Sequence, residues 1–212
     1  WYWYDGRPFM ETTLNNGFLK AKNVEKMKFY LMWANHDVLN LWDTRLARYN
    51  ENNVIWQGKV DREEFEKICL RNIEKYFKHP QYYKIDGKPV FMIYDLNNLV
   101  KGLGGVEKTT KQIAMFKERC VNAGLKGLHL QLKLACNDGE LTPYSEYAKQ
   151  LGFDSITSYQ FGEMTDINRD YTEVAKDITA LWEEWNNNYD LPYFPQVSIG
   201  WDNSPRFATT RR

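Results

Sequence analysis

At several points of this sequence aromatic rings stand directly beside polar side chains. Examples are Trp1-Tyr2-Trp3-Tyr4-Asp5-Gly6, Trp33-Ala34-Asn35-His36-Asp37, Leu41-Trp42-Asp43 and Gly200-Trp201-Asp202-Asn203. A sugar ring has apolar C–H faces and hydroxyl edges, and an aromatic face next to hydrogen-bonding groups suits both. Each pairing taken singly also fits an aromatic core with polar turns. Its recurrence at segment ends is what points to a saccharide. With 8 Trp, 14 Tyr and 11 Phe, aromatics make up 16% of the chain, enough to serve both a core and a binding surface.

Charge and composition narrow the alternatives. The 212 residues carry 28 basic and 28 acidic side chains. That balance argues against a protein reading a nucleic-acid backbone, which needs a basic surplus. No apolar run approaches the length needed to cross a bilayer. Cys69, Cys120 and Cys136 form neither a disulfide framework nor a pair with zinc-ligand spacing, so they are expected as buried thiols. The first residue is Trp, and the apolar start reads as a strand already under way. Either the domain is small or the chain is a piece cut from a larger one, and the parent's compartment and oligomeric state stay open.

Positioning these residues requires strands that end where they lie. Residues 27–35, 88–95, 127–136, 154–161 and 194–201 read as short buried strands bounded by turn residues. Helical patterns fall between them. Met10, Leu14, Phe18 and Ala21 share one spacing. Phe65, Ile68, Cys69, Ile73, Tyr76 and Phe77 form a clearer stripe, opened by Asp61 with Glu64 and a Val60–Phe65 staple. Val106, Ile113, Phe116 and Cys120 give a third helix closed by Gly124. Thr142-Pro143 starts a short one. Val174, Ile178, Leu181, Trp182 and Trp185 give the last, opened by Asp170 and Glu173.

Repeated strand–helix units imply an α/β fold with a parallel sheet. Two architectures fit: an open doubly wound sheet, or a (β/α)8 TIM-type barrel. The barrel needs about 250 residues. A chain of 212 with raw ends fits a single barrel domain over 1–212 that is incomplete at each end. No glycine-rich phosphate loop follows the first strand, which weakens a nucleotide-binding open sheet. Gly102-Leu103-Gly104-Gly105 lacks the phosphate-loop Lys and Ser/Thr, and reads as a turn. Strand faces add to the case. Leu128, Leu130, Leu132 and Leu134 alternate with His129, Gln131 and Lys133, while Val197, Ile199 and Trp201 alternate with Gln196, Ser198, Gly200 and Asp202. The apolar sets should meet helices and the polar sets should face the barrel interior. The long non-periodic stretch from Asn35 to Lys59 is expected to be an ordered loop over the barrel top.

Several motifs together resemble the glycoside hydrolase family 99-like domain. They are Phe29-Tyr30-Leu31-Met32-Trp33-Ala34-Asn35 followed by Leu41-Trp42-Asp43, then Tyr76-Phe77 through Pro80-Gln81-Tyr82 and Asp86-Gly87-Lys88-Pro89 into an apolar strand, and finally Gly200-Trp201-Asp202-Asn203-Ser204-Pro205-Arg206. Trp3-Tyr4-Asp5-Gly6-Arg7 resembles the end of the family's second strand. The resemblance covers nearly the whole chain. It implies a (β/α)8 barrel of which this chain supplies roughly strands two to seven, and action on a mannose-containing or related glycan. It implies no metal and no organic cofactor. It also implies a retaining mechanism in which one carboxylate assists the sugar's own 2-hydroxyl and another serves as acid/base. The family's catalytic Glu-x-x-Glu, within an Asn-Glu-Trp-x-Glu-Gly stretch, is expected beyond Arg212, so these residues alone are expected to be inactive. Glu183-Glu184-Trp185-Asn186 is not that motif and is expected on a solvated helix face. Asn35-His36-Asp37 departs from the family's Asn-Glu-Asn-Trp, which suggests another subgroup.

Only supporting roles follow for this chain. Trp33 and Trp42 are placed to stack on sugar faces. Asn35, His36, Asp37 and Asp43 are placed to bind hydroxyls, as are Tyr94 and Asp95. Gln131 and Lys133 are expected inside, with Tyr159, Gln160, Trp201, Asp202 and Arg206 completing the wall. Structural ion pairs between Asp43 and Arg45, or Asp202 and Arg206, fit the sequence equally well. His129 is expected in the core and His79 in a structural role. Competing readings are a non-catalytic carbohydrate-binding barrel and a glycosyltransferase-like protein of polysaccharide assembly.

Overall fold

The computed structural model describes residues 1–40, 53–134, 136–137, 140–141 and 147–200, the two short pairs by backbone alone. The chain opens with β1 (Tyr2–Tyr4) and β2 (Arg7–Phe9), an antiparallel hairpin turned by Asp5 and Gly6. Both turn residues have positive φ, as a two-residue hairpin loop requires. β3 (Leu31–Trp33) follows, then β4 (Val38–Leu39) paired with β5 (Val54–Trp56). Next come α1 (Arg62–Asn72) and a second Asp-Gly hairpin, β6 (Lys84–Ile85) with β7 (Lys88–Ile93). α2 (Leu96–Leu103), α3 (Val106–Asn122) and β8 (His129–Lys133) lead to the small ladder of β9 (Cys136–Asn137) and β10 (Glu140–Leu141). α4 (Ala148–Leu151), β11 (Ser155–Thr157), α5 (Tyr171–Asn188) and β12 (Tyr193–Phe194) complete the order.

The central sheet is parallel and runs β3-β7-β8-β11-β12, with β6 attached antiparallel to β7. Trp1 lies alongside β3 as well, its carbonyl accepting from Ala34 N and its own nitrogen donating to Met32 O. Spatial order therefore follows chain order without reversal. A doubly wound sheet reverses at a switch point, whereas uniform right-handed crossovers keep every helix on one face. The core agrees. Leu31, Trp33, Phe91, Ile93, Leu130, Leu132, Leu134 and Ile156 pack in one cluster with Phe65, Ile68, Ile113, Phe116 and Ile178 of the helices. Each such side chain, fully buried, contributes about 1.5–3 kcal/mol. The opposite face carries Met92, His129, Gln131, Lys133, Ser155 and Thr157. Among the described residues the sheet does not close into a ring.

Local signals explain most helix ends. Asp61 Oδ1 accepts from Glu64 N at 2.9 Å to open α1, and Asp170 Oδ1 accepts from Thr172 N at 2.8 Å to open α5. Asp95 opens α2, a helix the sequence reading missed, by accepting from Asn98 N at 2.9 Å. The supposed turn at 102–105 is the end of that helix. Gly102 sits in its last turn, where a Cβ would strike the Val60 backbone, and Gly104 closes it in the left-handed region.

Two expected elements differ. The Met10–Ala21 helix is a short wide-turn segment, Thr13–Gly17, followed by a tight turn at Phe18–Lys20, with no fully buried residue in either. Asn15, Asn16 and Gly17 are poor helix formers, and little burial offsets them. The 194–201 strand shrinks to β12, and Val197 and Ile199 are 72% and 94% exposed rather than packed on helices. Beyond Phe194 no described strand pairs with that segment, so its alternation has no surface to serve. The Thr142-Pro143 helix start lies outside the described residues. Of the long loop, 35–40 and 53–59 are described. They form the β4–β5 ladder, and Trp56 stacks on Tyr4.

Candidate functional site

The side chains opposite the helices form two layers. In the lower one, His129 Nε2 and Ser155 Oγ are 2.7 Å apart, Gln131 Nε2 donates to the same Oγ at 3.2 Å, and Tyr30 Oη donates to Gln131 Oε1 at 3.3 Å. Tyr30 precedes β3 and Gln131 lies on β8, so this contact reaches past β7. Burial pushes the His129 pKa down, with Lys117 and Lys88 adding to the effect and Asp154 opposing it. The ring is thus a neutral member of a packed network.

The upper layer lies at the C-terminal ends of the parallel strands. Lys133, the last residue of β8, is 5% exposed, and its Nζ is 2.7 Å from Glu163 Oε2. The same ammonium lies 4.3 Å from the centre of the Tyr94 ring, a cation–π contact. Tyr94 Oη donates to Glu163 Oε1 at 3.2 Å. Burial first, and the Glu163 carboxylate second, push the Tyr94 hydroxyl up, so it remains a neutral donor. Tyr159 packs edge-on against Tyr94 at 5.2 Å. Glu163 comes from the tight turn Phe161–Glu163 after β11. This cluster unites residues from three consecutive strand ends and offers a cation, a carboxylate and a phenol in one place.

Behind it, Asn35 ties loops together. Its Nδ2 donates to Asp95 O and its Oδ1 accepts from Asp95 N, both at 2.7 Å. Asn98 Nδ2 donates to Asn35 O at 3.0 Å and to Asp37 Oδ1 at 3.2 Å, and Asp37 Oδ1 also accepts from Gly58 N at 2.7 Å. The segment after β3, the start of α2 and the segment after β5 are thereby fastened to one another.

Aromatic rings continue along the same rim. From Tyr159 the contacts pass through Tyr94 to His36 (5.4 Å), Tyr2 (5.9 Å), Tyr4 (5.8 Å) and Trp56 (5.8 Å). Tyr4 is the buried support of this row. Its hydroxyl donates to His36 O at 2.9 Å, and burial pushes its pKa up, with Tyr2 and Asp37 adding.

The structure thus brings together His36, Tyr94, Lys133 and Tyr159, with Gln131 in the layer below. Trp33 is elsewhere: it is 0% exposed, 6.2 Å from Phe65 on the helix side, and has no face for a sugar. In β3, Leu31 pairs with Phe91 and Trp33 with Ile93, so strand alternation puts Trp33 on the helix-facing side with them. Asn35 is wholly buried and its amide is spent on backbone, while Asp37 serves the loop junction. Gln160 borders a separate cavity of about 370 Å³ with Phe161, Ile167, Tyr171 and Ser198. Trp42, Asp43, Trp201, Asp202 and Arg206 lie outside the described residues. Glu163 and Tyr2 were missed. An acidic residue six positions after a βα strand end, in a glycine-containing turn, was the available signal for Glu163. Glu183 and Glu184 are exposed on α5. Among the described residues no group of three or more His, Cys, Asp or Glu gathers as a metal centre would require, and no helix is long and apolar enough to cross a membrane.

A solved structure titled "Glycoside hydrolase-like protein" is similar at 16% identity and a TM-score of 0.52, covering 87% of this chain and 51% of that one. The GH99 endo-alpha-mannosidase from Bacteroides thetaiotaomicron is similar at 15% identity and a TM-score of 0.44, covering 68% of this chain and 38% of that one. At such identity the first likeness speaks for the fold alone. The chain spans about half the length of that structure. No curated protein matches the chain. The family described as "Glycosyltransferase WbsX" matches residues 1–211. A parallel sheet wound in chain order, with its polar residues gathered at one rim, accompanies a match over nearly every residue: the chain belongs to the Glycosyltransferase WbsX family.

Proposed function

We propose that this chain forms much of a (β/α)8 barrel that binds and cleaves a mannose-containing or related polysaccharide as a retaining glycoside hydrolase. The observation that carries the reading is the Lys133–Glu163–Tyr94 cluster at the strand C-termini, flanked by Tyr159 and His36. Rings beside the cluster suit the C–H faces of a pyranose, while Glu163 accepts from hydroxyls and Lys133 and Tyr94 donate to them. Trp42, Asp43, Trp201, Asp202 and Arg206 complete the wall in this proposal. The resemblance assigns acid/base work to a Glu-x-x-Glu in an Asn-Glu-Trp-x-Glu-Gly stretch, which residues 1–212 do not contain. Glu163 is therefore given a binding role.

The family's description favours a second reading, transfer of a sugar from an activated donor. Against it stands the pairing of the buried cation: among the described residues at the strand ends, Lys133 is matched by Glu163, whereas a donor's diphosphate calls for unmatched cations. The test uses the full-length protein with a panel of α-mannans and bacterial surface polysaccharides, reading new reducing ends. Cleavage that Glu163→Gln weakens supports the proposal. An intact panel, together with binding of a sugar nucleotide, replaces hydrolysis with transfer.

A further inference from the structure

The row of rings does not end at the sheet. Beyond Tyr4 it reaches a cleft of about 380 Å³ between the β1–β2 turn, the end of β5 and the first turn of α1. Trp56 forms one wall. Trp56 is 38% exposed, yet its ring is held by Tyr4, with centroids 5.8 Å apart and planes 21° from parallel, and by Phe9 at 5.0 Å. A large ring held rigid and left partly bare loses little entropy on meeting a ligand. Gln57 and Lys59 are exposed on the same strand end, and Asp5 and Glu64 face them across the cleft. Glu64 is anchored there, since its Oε2 accepts from Trp3 Nε1 at 2.8 Å. One rigid aromatic wall with an amide, an ammonium and two carboxylates around it matches a sugar ring's apolar face and hydroxyl edge.

Position adds to the argument. The cleft lies on the strand C-terminal side, as the Lys133–Glu163 cluster does. Between the two, every step of the row is a ring contact of 5.2 to 5.9 Å. An extended chain of sugars leaving the cluster along this row arrives at Trp56.

We infer that the Trp56 cleft is a distal subsite for the same glycan, so that the protein grips an extended polysaccharide several units from the Lys133–Glu163 cluster. This rests on the reading of the cluster as a glycan site. It makes the preferred ligand a long chain engaged along its interior, and a short oligosaccharide that fills only the cluster a poor substitute.

The experiment is calorimetric titration of the full-length protein with α-linked manno-oligosaccharides from disaccharide to hexasaccharide. Trp56→Ala is expected to weaken the hexasaccharide roughly tenfold, as loss of an aromatic anchor does, with the disaccharide unchanged. Gln57→Ala combined with Lys59→Ala, which spares the Tyr4 and Phe9 packing, is expected to show the same length dependence. Glu163→Gln is expected to weaken every length. If both cleft variants bind the hexasaccharide like the parent while Glu163→Gln weakens it, the distal subsite is wrong and the cluster stands. Equal losses at all lengths in the cleft variants also overturn it. If the parent binds no length, the glycan reading of the cluster falls and the subsite falls with it.

Discussion

The Lys133 ammonium is held 2.7 Å from the Glu163 carboxylate although the two residues sit on different strand ends, β8 and the turn after β11. Lys133 is 5% exposed and Glu163 19%, so the cation depends on its partner while the anion keeps some access to water. Glu163→Gln should therefore cost about 2–3 kcal/mol, below the range for a fully sealed pair. Lys133→Met should cost less. The double variant should lose clearly less than the sum of the singles, because both members of the pair are gone. Urea unfolding of the four proteins checks this, and simple additivity would mean that the pair is not coupled.

Acid should loosen the attachment of the N-terminal segment. Burial alone would raise the Glu11 carboxyl, but Arg71, the Trp1 indole, Lys75 and Tyr76 donate to it and hold it at about 2 against an ordinary 4.5. A carboxyl depressed in the folded state gives stability that is fully present above 4.5 and is lost as pH falls toward 2. The loss should amount to about 2–3 kcal/mol. Glu11→Gln should be less stable at neutral pH and should show a flatter curve through that window in pH-dependent thermal melts.

His129 should titrate below 6.5, because burial favours its neutral form. Its contribution to stability is present above 6.5 and is lost as pH falls through the folded value. Proton NMR of the imidazole reads the value directly. A titration at or above the ordinary histidine pKa would contradict the buried contact with Ser155.

Gly58→Ala should be among the most damaging single changes. A Cβ there falls on the Asn35 carbonyl and the His36 backbone, which cannot shift as a flexible side chain can. The expected loss is about 2–4 kcal/mol. Circular dichroism melts measure it, and a near-neutral result would show that the segment after β5 can move away from β3.

The sequence carried the sheet's parallel order and its two-faced pattern well. Leu130 and Leu132 face helices and Gln131 and Lys133 face away, as strict alternation requires. Caps at Asp61 and Asp170 were equally readable, since a cap is a local bond. Long-range choices were not. Trp33 looks like a ligand-facing ring because Asn35 and His36 follow it, but strand parity sends it to Phe65. Asp95 reads as a hydroxyl ligand until α2 is seen to start there. Glu163 had only its place after a strand end to mark it, and its partner Lys133 lies 30 positions earlier in the chain. Val197 and Ile199 have the right period, but a period needs a neighbouring strand to become a packed face.

The fastening of Asn35, Asp95, Asn98, Asp37 and Gly58 has a mechanical consequence. A displacement of the backbone at His36 pulls on the opening turn of α2 and on the chain leaving β5 together. His36 and Trp56 are thus mounted on one tied frame, and these bonds set the spacing between them.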